Sequence, residues 1–123
     1  MKETISFIYP AKVNYISAIR LAASGVVATF NFSVDRINDI KSCVAEACMM
    51  LMCSQTCESL HIDISCSDGL CVTIKGVGAE KSKDCKNCME FNAEMSKIIL
   101  QSLAKDVTMK SEEGAISEIV FTI

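Results

Sequence analysis

Apolar side chains recur along the 123-residue chain with two different periods, and the places where the period changes mark the elements. Residues 4–9, TISFIY, read as a first strand that stops at Pro10, since proline has no amide hydrogen to give a ladder. Val13, Ile16, Ile19, Ala23 and Val26/Val27 then follow near-helical spacing and predict a first helix over 13–30. Gly25 lies inside it at a cost of about 1 kcal/mol relative to alanine, which predicts a close approach or a fray there. Ser33 is placed to cap a second helix, with Asp35 in the first turn where a negative charge meets the helix dipole favourably. Ile37, Ile40, Val44, Ala47, Cys48 and Leu51 form the core stripe of that helix, about 20 residues long. Glu46 is off the stripe and shares a neighbouring face with Asp39, Cys43, Met50 and Cys53.

The period then falls to two. Ile62, Ile64 and Cys66 alternate with His61, Asp63 and Ser65, and Leu70, Val72 and Ile74 alternate with Cys71, Thr73 and Lys75. The intervening SDG predicts a hairpin turn with Gly69 at positive φ. Residues 76–88, GVGAEKSKDCKNC, carry no period and read as a long loop. A third helix is expected over 89–104 with Met95, Ile98, Ile99 and Leu103 as its apolar positions. A closing hairpin turns at Glu112 to Gly114 and puts Ile119, Phe121 and Ile123 on one face. The order β-α-α-β-β-loop-α-β-β, with strands apolar on one side, predicts an α+β fold. Its form is a two-layer α/β sandwich, a mixed, mostly antiparallel sheet of about five strands with three helices on one face. The length suits a single domain, 1–123.

Composition narrows the function classes. Half the residues are hydrophobic and the net charge is −3 without charge blocks, which favours a packed globule over disorder. Twelve Lys and Arg in no stripe give no field to collect phosphates, so no nucleic-acid partner is expected. Lys2, Glu3 and Pro10 interrupt the N-terminus where a secretory signal would need an apolar run, and no stretch approaches the roughly 18 apolar residues of a membrane span. A cytoplasmic protein with no membrane partner is the expectation. The eight cysteines then read as reduced thiols, most of them small buried hydrophobes.

Several strings carry a resemblance. They are Pro10 and Ala11 after the first strand, IRLAASG at 19–25, DRINDIK at the entry to the second helix, and EAC at 46–48. Together with the element order they resemble the anti-sigma-factor serine/threonine kinases. These are small members of the GHKL class of ATPases, which share the histidine kinase-like ATPase fold. The resemblance covers nearly the whole chain in element order and is specific at the motif level up to Cys48. It implies a bacterial transcription regulator that sequesters a sigma factor, is countered by an anti-anti-sigma partner, and pairs as a homodimer. Arg20 falls in the family's partner-contact region, and residues 76–88 correspond to a shortened lid.

The resemblance also says what has changed. In active members the second helix reads Glu-Ala-Cys-Thr-Asn-Ala, the Glu serving as general base towards the attacking hydroxyl and the Asn holding magnesium. Glu46 matches the base, whereas the Asn position is Met50. A thioether cannot serve a hard cation that wants oxygen ligands, so the metal bridging the triphosphate loses its protein anchor. Phosphoryl transfer is mostly positioning and charge neutralisation, and both are impaired together. The family's Asp-x-Gly, whose carboxylate accepts the adenine amino group, is replaced by Gly76-Val77-Gly78. The glycines that cup the phosphates are replaced by AEMSK at 93–97, where Glu94 repels phosphate. These departures predict a pseudoenzyme with no bound cofactor, Glu46 being a remnant and Met50 an apolar plug. A pocket still competent would instead make the chain a divergent serine kinase that takes ATP and Mg²⁺.

The cysteines support a different class of function. Cys85-Lys-Asn-Cys88 is a C-x-x-C, and Cys53 and Cys57 stand at i and i+4 near the end of the second helix. The four thiolates form a candidate tetrahedral site for zinc or an iron–sulfur cluster, and Cys85 with Cys88 a candidate redox pair. Against this stands the general cysteine richness of the chain, under which they are packing residues. His61 reads as an exposed strand residue rather than a ligand, and the seven methionines as core filler. A structural subunit of a permanent complex is the remaining alternative.

Overall fold

The computed structural model describes residues 3–54, 57–67, 69–78, 93–112 and 115–123. Strand β1 (Glu3–Pro10) is followed by a 3₁₀ turn at Val13–Tyr15, helix α1 (Ile16–Ala28) and helix α2 (Val34–Ser54). The hairpin β2 (Ser59–Cys66) and β3 (Leu70–Val77) comes next, then helix α3 (Ala93–Leu103) and the hairpin β4 (Asp106–Glu112) and β5 (Ala115–Thr122). This is the expected α+β architecture with one five-stranded open sheet, in the order β1-β2-β3-β5-β4. All four strand pairings are antiparallel, so the mixed component anticipated from the sequence is absent among them. Among the described residues no helix is long and apolar enough to cross a membrane.

The alternation in the strands sets the two faces. Leu60, Ile62, Ile64, Leu70, Val72, Ile74, Ile119 and Phe121 are fully buried on the helix side. The other face carries polar side chains that find partners across the strands. Ser6 Oγ donates to Asp63 at 2.5 Å, and Glu118 receives Lys110 at 3.0 Å and Lys75 at 3.9 Å. Pro10 belongs to β1, opposite Ser59, rather than lying beyond it. An edge strand tolerates that position because one side of its ladder is unpaired.

Helix α1 begins later than its apolar spacing predicted, and Val13 is 41% exposed in the preceding turn. Its buried side chains are Ile19, Ala23 and Val27, four apart. Gly25 has open space around it and lies three residues inside the helix, so neither a close approach nor a fray accounts for it. Asn31 turns the chain towards α2 at φ 63°, a left-handed conformation that asparagine tolerates. Ser33 caps α2 as expected, its Oγ accepting the Arg36 amide at 3.2 Å.

Helix α2 is the central helix, packed against both α1 and α3. Ile40, Val44, Ala47, Cys48 and Leu51 are buried on its predicted stripe. The neighbouring face is buried too: Cys43 is fully enclosed and Met50 is 4% exposed. In the hairpin between β2 and β3, Gly69 is not at positive φ; Gly78, at +72°, is the described glycine that is.

Candidate functional site

Glu46 sits in the middle of α2, one turn after Cys43 and one turn before Met50. A carboxylate between two enclosed apolar side chains needs a donor, because a half-buried charge without one loses its hydration uncompensated. The donor comes from α3. Ser96 is 2% exposed and its Oγ–H donates to Glu46 Oε2. The hydroxyl lies where the resemblance put the phosphate-cupping segment, and it is the residue that reading of the sequence overlooked. The signal was present: Ser96, Leu100 and Leu103 stand at i, i+4 and i+7, one face of a helix.

That face is the one α3 turns inward. Leu100 is fully buried, whereas Met95 and Ile98, expected among the helix's apolar positions, are 54% and 59% exposed. Ile99 and Leu103 are half-buried. The end of α3 is held as well, since Arg36 Nη1 donates to the Leu103 carbonyl at 3.4 Å while meeting Asp39 Oδ2 at 3.3 Å. A cation at the last carbonyls of a helix satisfies groups that have no partner inside it.

The thiols around this seam are poor nucleophiles. Burial pushes Cys43 up to about 11, with the Asp39 charge adding to it and the Arg36 charge opposing. Cys48 is pushed up to about 12, first by burial and then by the neighbouring Cys57. Cys57 is raised by burial alone. A thiol held protonated neither attacks nor ligates readily. Cys43, Cys48, Cys57, Cys66 and Cys71 are free, whereas Cys53 is disulfide-bonded, against the expectation of reduced thiols throughout. Cys85 and Cys88 lie outside the described residues. Among the described residues no three His, Cys, Asp or Glu side chains are grouped as a metal site.

Gly76 and Val77, the first two residues of the Gly76-Val77-Gly78 segment, form the end of β3. Gly76 pairs with Leu60, and Gly78 follows the strand in the left-handed conformation. Glu58, also passed over by the sequence reading, lies against Gly78 so closely that a β-carbon there would come within 3.0 Å of its Cγ and Oε2. A carboxylate just before β2 thus stands beside the end of β3.

Arg20 is exposed on α1, away from these residues, and with Ser17, Leu21 and Lys41 it lines a surface depression of about 290 Å³. Leu21 is 67% exposed and lines the same depression as the two cations. A depression of about 590 Å³ involves Lys75, Gly76, Lys110, Ser111, Ser117 and Glu118. There the carboxylate of Glu118 already takes both lysines, so the charges are paired internally.

Over 46 residues, 37% of the chain, the sequence is 44% identical to the serine-protein kinase RsbW of Halalkalibacterium halodurans, a stretch covering 28% of that protein. It is 41% identical over 46 residues to the serine-protein kinases RsbW of Bacillus thuringiensis and Bacillus anthracis, covering 29% of each. The match therefore spans less than a third of the length of these curated relatives. No family model matches the chain.

Proposed function

We propose, proceeding from that similarity, that the chain is a regulator of the anti-sigma type that acts by binding a protein and has given up ATP chemistry. The observation that carries the reading is the environment of Glu46. Four residues on, where active members of the resembled family hold an oxygen ligand for Mg²⁺, Met50 is packed into the core at 4% exposure. The carboxylate itself accepts a hydrogen bond from Ser96. A site without a metal anchor neutralises a triphosphate poorly, and a carboxylate with Oε2 already bonded to Ser96 has one oxygen committed before a hydroxyl arrives. Partner recognition falls to α1 and the adjoining part of α2, where Arg20 of α1, Lys41 of α2 and the exposed Leu21 offer two cations and an apolar contact suited to an acidic, partly apolar helix. The partner is a sigma factor or an anti-anti-sigma protein, and the regulator works as a homodimer.

The test is thermal unfolding of the protein with and without millimolar Mg·ATP and Mg·ADP. A ligand binding only the native state at about 100 times its dissociation constant adds about 2.7 kcal/mol, a shift of several degrees. No shift is expected. In parallel, co-expression with the sigma factors of the same genome is expected to yield a complex that forms without nucleotide and is lost on Arg20→Glu. A clear nucleotide shift in the unmutated protein would overturn the reading.

One observation favours a second reading, a divergent serine kinase that still binds nucleotide. Glu58 supplies a carboxylate beside Gly78 and is able to replace the missing acceptor for an adenine amino group. Under that reading the Mg·ATP shift appears and Glu58→Gln removes it.

A further inference from the structure

We propose that Ser96 is an internal stand-in for a partner's hydroxyl, and that α3 is held over Glu46 as an intrasteric cover. The inference rests on the functional reading above and deepens it, by naming what keeps the retained carboxylate from meeting a substrate.

Three features of the seam carry it. The group bonded to Glu46 is a seryl hydroxyl, the same chemical group a serine kinase's base would receive from its substrate. Ser96 is 2% exposed while Met95 and Ile98, on either side of it, are more than half exposed. Leu100 and Ala104 turn the same face inward by burial, and Ser96 is the buried polar side chain on that face, so the polar contact fixes which residue of the face meets Glu46. Finally, α3 is fastened two turns further on by Arg36 at the Leu103 carbonyl, so the cover is fixed in register rather than resting on one bond. With Cys43 and Met50 enclosed on either side of Glu46 along the same face of α2, the carboxylate is flanked there by apolar side chains. A hydroxyl approaching the bonded oxygen would have to displace Ser96. No bond is made or broken in this arrangement, and the serine proton remains on Oγ.

The test is carbodiimide labelling of Glu46 in the folded protein, read by peptide mass spectrometry, in the unmutated chain and in Ser96→Ala, Ser96→Cys and Leu100→Ala. Removing the hydroxyl is expected to speed labelling of Glu46 about tenfold, the factor corresponding to one hydrogen bond to a charged group. Ser96→Cys, isosteric with a weak donor, is expected to fall between. Leu100→Ala loosens the same helix without touching the carboxylate, and at matched temperature below unfolding it is expected to speed labelling less than Ser96→Ala does. The proposal is overturned if Ser96→Ala leaves the labelling rate unchanged, or if Leu100→Ala raises it as much. Should Ser96→Ala fail to fold, the intermediate rate of Ser96→Cys against Leu100→Ala decides by the same comparison. Nucleotide binding by the unmutated protein would overturn the functional reading but would not alter these labelling rates, so the two failures are distinguishable.

Discussion

Cys48 is wholly buried in the core and holds its proton well above the usual thiol value, to about 12, and Cys43 does so to about 11. In the unfolded chain both thiols ionise near 9.0. Between those values the unfolded state has lost protons that the native state keeps, so stability falls as pH rises through that window and is fully retained below it. Urea midpoints measured at about pH 8 and about pH 10.5 are expected to fall, and Cys48→Ala to show a shallower fall from a lower starting point. At the other end of the sheet, Gly78 holds φ at +72° with Glu58 packed against it. Gly78→Ala is expected to cost about 1 kcal/mol or more in denaturant unfolding, through left-handed strain and the forced displacement of Glu58. Cys48 was legible as a core position from its spacing, since it stands on the main stripe of α2. Nothing local announced the Glu58 contact, which depends on β2 and β3 being paired.

At the scale of elements, α3 separates what periodicity can give from what it cannot. Its residues were assigned to a helix from spacing, and a helix over Ala93–Leu103 is found. The spacing leaves its rotation open, because Met95 and Ile98 count as apolar in any pattern and Ser96 does not, while the fold buries Ser96 and leaves the other two outside. Leu100→Ala is expected to destabilise by about 2–5 kcal/mol and Ile98→Ala to stay within about 0.5 kcal/mol, as read from chemical denaturation. Equal costs would show that the helix presents its other face to the core. Helix α2 was read more fully, cap included, because a serine before a long apolar stripe is a local device with a local effect. The second buried face of α2 was not readable in the same way. Cys43 and Met50 are enclosed once the rest of the fold packs against α2, which is a tertiary matter.

Taken whole, the buried hydrophobic side chains among the described residues form one cluster drawn from all three helices and from β2, β3 and β5, with Phe7 of β1 and Val107 of β4 packed at its margin. Such an arrangement is expected to unfold as one unit: far-ultraviolet dichroism and tyrosine fluorescence should report the same midpoint in urea. Two separated midpoints would argue against a single domain. The order and kind of the elements were set by the sequence itself, because helix and strand periods depend on residues a few positions apart. So was the thioether at position 50, whose softness is visible in one residue. What Glu46 touches was decided only in the tertiary structure. Its donor lies fifty positions along the chain and arrives on a helix oriented by that bond, by Leu100 and by Arg36, none of which acts until α2 and α3 are side by side.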